Sequence, residues 1–144
     1  MKISGSQVLL DTGPLVAFLR KSDPYSQRCS SLFAEISAPV TTCWPVITEA
    51  AYLLRKTNNG FEALCTLLAD ETILCLSIDQ VESARWMSDF RTKFKDQDVD
   101  LADAALMFLG EQHGIRQFFT LDSHFSVYRF SDGSAPVILA IPSQ

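Results

Sequence analysis

Short runs of continuously apolar residues alternate with longer segments in which apolar residues recur at helical spacing. Continuous apolar character is typical of strands that are buried on both faces, and strands alternating with helices indicate a mainly parallel sheet. We therefore predict an α/β domain in which helices cover both faces of a central sheet of about five strands. The predicted strands are Gln7–Leu10, Pro39–Cys43, Thr72–Ile78, Gln117–Leu121 and Val137–Ile141.

Helical spacing and end signals predict the segments between the strands. Thr12 is a suitable cap for the first helix, Pro14 suits its first turn, and Gly114 is a typical stop for the last helix. Asp79 is expected to cap the long fifth helix. The predicted helices are Leu15–Lys21, Tyr25–Ser37, Val46–Lys56, Phe61–Ala69, the segment from Asp79 to Phe94, and Leu101–His113.

Length and composition narrow the class of protein. The 144 residues are expected to form a single domain spanning 1–144, and 47% apolar residues are enough for a globular core. The formal charge of −5 means that any nucleic-acid contact must use local basic clusters or a bridging metal. The sequence shows neither a signal peptide nor a run long enough to cross a bilayer, so we expect a cytoplasmic protein. The cysteines form no CxxC pair and are expected to be buried free thiols: Cys29, Cys43, Cys65 and Cys75.

Acidic residues are the candidates for chemistry. Asp11 and Asp122 directly follow predicted strands, at the sheet edge where sites of parallel sheets lie. Asp100 and Asp103 are spaced to share one helix face, and Glu49 borders the apolar face of its helix. Taken singly, each has an ordinary alternative: turn or cap residue for Asp11 and Asp122, acidic first turn for Asp100 and Asp103, solvated boundary residue for Glu49.

Taken together, the acids predict a site for a hard cation. Carboxylates that converge without histidine or cysteine suit Mg²⁺ or Mn²⁺, which bind phosphates and activate water for phosphodiester hydrolysis. Thr120 is a polar residue in an otherwise apolar strand and is placed to hydrogen-bond a neighbouring carboxylate. The tripeptide Asp11-Thr-Gly13 also matches the aspartic-protease signature, but those enzymes are all-β and here the motif opens a helix.

At these motifs the chain resembles the PIN domain and, within it, the VapC-like toxins of toxin–antitoxin pairs. The resemblance covers nearly the whole chain and depends on the order and spacing of four blocks. These blocks are Val8-Leu-Leu-Asp-Thr-Gly-Pro-Leu-Val-Ala17, Thr48-Glu-Ala-Ala-Tyr-Leu-Leu54, Val99-Asp-Leu-Ala-Asp-Ala-Ala-Leu106 and Phe119-Thr-Leu-Asp-Ser-His-Phe-Ser-Val-Tyr-Arg129.

The resemblance implies a PIN-like five-stranded parallel sheet and a Mg²⁺- or Mn²⁺-dependent endoribonuclease that leaves 5′-phosphate and 3′-hydroxyl ends. It also implies a homodimer and a VapB-like antitoxin whose C-terminal segment fills the active-site groove. The implied site residues are the catalytic quartet Asp11, Glu49, Asp103 and Asp122, the metal ligands Asp11, Asp103 and Asp122 with Asp100 as a further acid, and the supporting hydroxyls of Thr12 and Thr120.

Two features depart from the pattern or leave it open. Only Ser123-His124 separates Asp122 from Phe125, where many members have a longer charged stretch, and His124 is expected to be an ordinary exposed histidine. The substrate-binding residues are unknown, and the candidate basic clusters are Arg20, Lys21, Arg55, Lys56 and Arg129, with Arg91, Lys93 and Lys95 as a second group.

Other functions remain possible at this stage. They are a catalytically silent PIN-like binding module, a freestanding RNA-processing nuclease without an antitoxin, and a phosphoacceptor domain. The last requires a lysine at a later strand end, where this chain has Thr120 and Asp122.

Overall fold

Five parallel strands form the centre of the molecule in a computed structural model that describes residues 7–140. The strand order across the sheet is β3-β2-β1-β4-β5, and every neighbouring pair is parallel. The strands are β1 Val8–Leu10, β2 Val40–Thr42, β3 Leu74–Cys75, β4 Gln117–Phe119 and β5 Val137–Leu139. The predicted parallel sheet is thereby confirmed, while Ile141 of the last predicted strand lies outside the described residues.

Between residues 7 and 140, six α-helices cover the sheet on both faces. They are α1 Thr12–Leu19, α2 Ser26–Glu35, α3 Trp44–Leu53, α4 Gly60–Ala69, α5 Gln80–Lys93 and α6 Leu101–His113. The chain moves from β1 outward to β3 through α1–α4 and returns to β4 through α5 and α6. Since crossovers between parallel strands are right-handed, the outward and the returning helices lie on opposite faces.

The central pair of strands defines where a site can form. The chain leaves β1 towards β2 but leaves β4 towards β5, so β1 and β4 lie at the point where the direction of winding reverses. In open α/β sheets, a crevice opens outside the carboxyl ends of such strands. Asp11 and Thr120 directly follow these two strands, and Asp122 comes two residues later.

Several predicted ends are wrong, for local reasons. The predicted strand Thr72–Ile78 shrinks to Leu74–Cys75, because this edge strand pairs with β2 alone. Helix α1 begins at Thr12 instead of Leu15, since Asp11 and not Thr12 is its cap. Helix α3 begins at Trp44, with Pro45 in its first turn, and ends at Leu53 before the turn at Leu54.

The ends of the returning helices agree with prediction. The Asp79 carboxylate accepts a hydrogen bond from the backbone N–H of Glu82 at the start of α5. Gly114 ends α6 at φ +67°, in the left-handed region where glycine has no steric cost. Nine consecutive residues of α6 are buried against the core, so this helix is held firmly over the sheet. They are Ala102, Asp103, Ala104, Ala105, Leu106, Met107, Phe108, Leu109 and Gly110.

An aromatic cluster fixes the segment after β4. The side chains of Phe118, Phe125, Tyr128 and Phe130 are fully buried. The ring of Tyr128 packs edge-on against Phe125 and Phe90, with centroids 5.2 Å apart in each pair. Such pairs add to the hydrophobic stabilisation from burial. The cluster therefore holds the short 3₁₀ turn Ser123–Ser126 beside the sheet edge, and with it Asp122 and His124.

Candidate active site

The predicted acids meet at one cavity. It has a volume of about 450 Å³ and lies outside the carboxyl ends of β1 and β4. Four separate parts of the chain contribute: the β1–α1 junction, the middle of α3, the start of α6 and the segment after β4. The acids that line it are Asp11, Glu49, Asp100, Asp103 and Asp122, and the other lining residues are Thr12, Gly13, Leu53, Leu121 and Ser123.

Asp11 is held from two sides. Its Oδ1 accepts a hydrogen bond of 2.8 Å from the backbone N–H of Thr12, and its Oδ2 accepts one of 2.7 Å from the Thr120 hydroxyl. The Thr120 Oγ1 in turn accepts a hydrogen bond of 3.0 Å from the Asp122 backbone N–H. The hydrogen bond expected from Thr120 to a neighbouring carboxylate is thus present, and this buried hydroxyl joins Asp11 to the segment that carries Asp122.

Asp103 is the most unusual acid, because only 4% of it is exposed. Its Oδ2 accepts a 2.7 Å hydrogen bond from the hydroxyl of fully buried Tyr128. Asp100 precedes α6 and caps it, since its Oδ1 accepts a 2.8 Å hydrogen bond from the Asp103 backbone N–H. Asp100 therefore has the structural role of a helix cap and also lines the cavity.

Glu49 and Thr12 are neighbours in the lining of the cavity. Glu49 is exposed and forms no ion pair with Lys56 or with any other residue in the range 7–140. The Thr12 hydroxyl is close enough to oppose the rise in the pKa of Glu49, but it reaches hydrogen-bonding geometry with none of the described residues. Thr12 is buried and lines the cavity, so its hydroxyl is a polar group left without a partner beside the acids.

His124 lies closer to the acids than an ordinary exposed histidine would. Its backbone N–H donates to Asp122 Oδ1 at 2.9 Å, and its Nδ1 is 3.5 Å from the same oxygen. The same nitrogen is 3.9 Å from Asp103 Oδ2, and the side chain is 41% exposed. One ligand atom each from Asp103, Asp122 and His124 lie within 4.8 Å of one another.

Burial and mutual repulsion raise the pKa values of the acids. Burial, opposed by the hydrogen bonds from Thr120 and Thr12, raises the pKa of Asp11 to about 6. Burial raises the pKa of Asp103 to about 8 although Tyr128 opposes it, and the charges of Asp11, Asp100 and Asp122 add to the rise. Burial and the charge of Asp100 also raise the pKa of Glu49.

Burial is the largest cause of each shift, and the approach of several carboxylates to one another adds to it. A divalent ion placed among them would remove both the repulsion and the desolvation cost. Oxygen donors predominate, which suits a hard cation such as Mg²⁺ or Mn²⁺, and the unpartnered Thr12 hydroxyl fits a metal-bound water. The residues present therefore fit a divalent cation.

The predicted RNA-binding cations differ in their surroundings. The Arg20 guanidinium donates to the Thr57 hydroxyl and to the Leu53 carbonyl, which ties α1 to the end of α3. The Arg55 guanidinium lies 3.8 Å from the centre of the Tyr52 ring. Arg129 donates to the carbonyls of Ser126 and Tyr128.

None of the predicted cations lines the acidic cavity. Lys21 and Lys56 lie with Arg20 around a separate cavity. Arg91 and Lys95 line a groove that reaches the acids, and Lys93 lies away from this groove.

The sequence did not reveal the roles of two residues, and its prediction of burial was wrong for two cysteines. Tyr128 belongs to one of the four matched blocks, but no role was predicted for it. It could have been found as a tyrosine in an otherwise apolar aromatic segment, because a buried hydroxyl needs an acceptor. His124 carried no signal beyond its proximity to Asp122 in sequence. All four cysteines are free as predicted, but Cys65 is exposed and Cys75 is only partly buried.

With this geometry in place, the chain can be assigned to a family. The model of the PIN domain matches residues 8–131, and the chain belongs to this family. It is similar to ribonuclease VapC26 of Mycobacterium tuberculosis, with 27% identity over 129 residues that cover 85% of this chain and 92% of the relative.

Two solved structures share the fold. VapC20 of Mycobacterium tuberculosis, described as a sarcin-ricin loop cleaving toxin, superposes with a TM-score of 0.77 at 18% identity and covers 90% of this chain and 99% of its own. VapBC2 from Rickettsia felis, bound to a DNA fragment from the promoter, gives a TM-score of 0.52 at 13% identity, covering 81% of this chain and 88% of that one. Within residues 7–140, no helix has the length and apolar character needed to span a membrane.

Proposed function

We propose that this PIN-domain protein is a metal-dependent endoribonuclease and the toxin of a VapBC-like toxin–antitoxin pair. The observation that carries the proposal is the cavity in which four acids from separate elements converge, with no lysine or arginine among the described residues that line it: Asp11, Glu49, Asp103 and Asp122. The similarity to a relative named as a ribonuclease supports RNA as the substrate.

In this proposal each acid has a role. Asp11, Asp103 and Asp122 would hold a Mg²⁺ or Mn²⁺ ion, directly or through water, and Asp100 at the same rim is a further, less central ligand. Such an ion, when bound, supplies charge stabilisation at a phosphoryl oxygen and lowers the pKa of water. Glu49, the exposed acid of the cavity, orients the attacking water and accepts its proton.

Two hydroxyls act as positioning residues. The Thr120 hydroxyl fixes Asp11 and the backbone of Asp122 in one arrangement. The Tyr128 hydroxyl fixes one oxygen of Asp103. Partners of this kind orient metal ligands and usually affect metal affinity about 10–100-fold.

The proposed protein partner is a VapB-like antitoxin that binds a homodimer of this chain in the cytoplasm. Large apolar side chains on α3 and at the start of α4 are exposed, including Trp44 and Tyr52 at 61% each and Phe61 at 55%. Exposed apolar residues of this size commonly mark protein interfaces. Leu53, 40% exposed, continues this surface to the edge of the acidic cavity.

The first test is cleavage of RNA by the purified, antitoxin-free protein. Total cellular RNA is incubated with Mg²⁺, with Mn²⁺ or with EDTA, and cut ends are mapped by sequencing. The proposal predicts discrete, metal-dependent cuts with 5′-phosphate ends that disappear in Asp11→Asn. Asp89→Asn, an exposed acid on α5 outside the acidic cavity, is the matched control and should cut as wild type.

A metal titration separates the proposal from the silent binding module. Calorimetry with Mn²⁺ should show binding that Asp11→Asn weakens strongly. Absence of both metal binding and cleavage would contradict the nuclease assignment and favour the non-catalytic module. A small open reading frame adjacent to the gene, and its product's inhibition of cleavage, would distinguish a toxin from a freestanding processing nuclease.

A further inference from the structure

A second and larger cavity, which we call the α5 groove, adjoins the acidic cavity. It has a volume of about 1110 Å³ and lies between α5 and the start of α6. Asp100 and Asp122 line both cavities, so the groove opens directly onto the acids. The residues that matter for its chemistry are Met87, Ser88, Arg91, Thr92, Lys95 and Leu101.

Two cations, Arg91 and Lys95, line the groove from neighbouring elements. Arg91 lies on the face of α5 that carries Ala84, Met87 and Ser88, because these residues are spaced by three or four. Lys95 lies beyond the end of α5, at the start of the 3₁₀ turn Lys95–Gln97. The groove therefore presents one cation from the helix and one from the turn that follows it.

Both cations are available to a ligand. Arg91 and Lys95 are exposed, and neither forms an ion pair or a side-chain hydrogen bond with any residue from 7 to 140. In contrast, Arg20 and Arg129 are engaged with backbone carbonyls. Lys93 lies with its ammonium 5.5 Å from the centre of the Phe94 ring and lines a different cavity.

Apart from its charged residues, the groove carries apolar and hydroxyl side chains, which suit the bases and sugars of a nucleotide chain. The side chains of Met87 and Leu101 are apolar, and Leu101 is 61% exposed beside Asp100. Ser88 and Thr92 add hydroxyls on the same side. The groove also contains Asp98, Asp100 and Asp122, so its formal charge is negative. An anionic chain is therefore favoured only where it contacts Arg91 and Lys95 directly.

We propose that the α5 groove binds the single-stranded RNA segment that flanks the scissile phosphate, with Arg91 and Lys95 each contacting one phosphate. This inference rests on the proposed nuclease function. A strand whose reacting phosphate lies at the acids continues into the groove, with bases against Met87 and Leu101. The two cations thereby provide the positive charge that the acidic chain as a whole lacks.

The test is the salt dependence of RNA binding. A fluorescein-labelled 12-nucleotide RNA of mixed sequence is titrated with wild type, Arg91→Gln/Lys95→Gln and Lys93→Gln, and binding is followed by anisotropy with Ca²⁺ replacing Mg²⁺. Each lost phosphate contact makes the slope of log K against log salt shallower by about 0.7 for single strands. The double variant should therefore differ by about 1.4 in slope and bind roughly tenfold more weakly at low salt.

The control variant, Lys93→Gln on the same helix, should retain the wild-type slope and affinity. Arg91→Lys keeps a charge at the groove and should restore most of the lost slope relative to Arg91→Gln. Equal unfolding temperatures of the variants would show that the exposed substitutions leave the fold unchanged.

The outcomes separate this proposal from the proposed function. If wild type cuts RNA and the double variant binds with unchanged slope, the groove proposal is refuted while the nuclease assignment stands, and the groove would be left for a protein ligand. If wild type binds RNA through the two cations but never cuts, the groove proposal stands and the nuclease assignment fails. If wild type neither binds nor cuts RNA, both are refuted.

Discussion

Replacing Asp103 by Asn should stabilise the protein when no metal is present. Asp103 is buried, and its pKa of about 8 lies well above the ordinary 3.8 that it regains on unfolding. The folded state binds this proton more tightly than the unfolded state does, so protonated Asp103 stabilises the fold. This contribution is complete below about pH 4 and is lost as the pH rises through about 8. The neutral amide of Asn removes this dependence on pH.

The magnitude follows from the difference between the two pKa values. At about 1.4 kcal/mol per pH unit, a rise from 3.8 to about 8 corresponds to a cost of roughly 6 kcal/mol at pH 9 as an upper bound. Asn retains an acceptor for the Tyr128 hydroxyl but buries an amide N–H₂ without a known acceptor, which offsets about 2 kcal/mol. A net gain of about 4 kcal/mol corresponds to an increase in Tm of roughly 8–16 °C for a domain of this size.

The assay is thermal and urea unfolding in EDTA between pH 5 and pH 9. The stability of wild type should fall relative to Asp103→Asn as the pH rises, and the exposed control Asp89→Asn should follow wild type throughout. Saturation with Mn²⁺ should stabilise wild type by about 2.7 kcal/mol at one hundred times its Kd and stabilise Asp103→Asn less. If the stabilities of wild type and Asp103→Asn in EDTA changed with pH in parallel, the charged form of Asp103 would not destabilise the fold, and the prediction would be wrong.

Three further predictions concern the groups around the acids. Thr120→Val preserves the shape of the buried side chain but removes the donor to Asp11, so Mn²⁺ affinity measured by calorimetry should fall about 10–100-fold, and unchanged affinity would exclude a positioning role. Tyr128→Phe removes the hydrogen bond that lowers the pKa of Asp103, so the pH at which Mn²⁺ binding reaches half its maximum should move upward, and a downward shift would contradict the assignment. Asp122→Asn should reduce the rate of metal-dependent RNA cleavage at least 100-fold in single-turnover assays, whereas an unaffected rate would remove Asp122 from the site.

The sheet and the positions of the acids were predictable because both follow from local patterns. Apolar runs with a directly following Asp mark β1, and the parallel arrangement brings the carboxyl ends of β1 and β4 together. The end signals of α5 and α6, Asp79 and Gly114, were equally local. Edge strand β3 was overestimated, since the length of an edge strand depends on pairing with one neighbour and not on its own residues.

The roles of individual side chains were less predictable, because they depend on contacts distant in sequence. The Tyr128 hydroxyl donates a hydrogen bond to Asp103, which is 25 residues away in sequence. The Arg20 guanidinium donates to the Leu53 carbonyl at the end of α3. Helical spacing separates Arg91 from Lys93, but only the packing of α5 shows that the face carrying Arg91 lies beside the acids. Sequence predicts which cations are near in the chain, whereas packing decides which of them are available.

The acidic cavity is also the place where the chain departs from the rules that stabilise a fold. Asp103 is the third residue of α6, where the helix dipole stabilises its negative charge. Its side chain is nevertheless buried and lies near three other acids. Tyr128 and Thr120 satisfy single oxygens of Asp103 and Asp11 without neutralising them. Such an arrangement is destabilising unless a cation completes it, because hydrogen bonds from neutral hydroxyls cannot cancel the repulsion between the carboxylates. The cost of holding these carboxylates close together beside a cavity is therefore itself an argument for a divalent cation as their ligand.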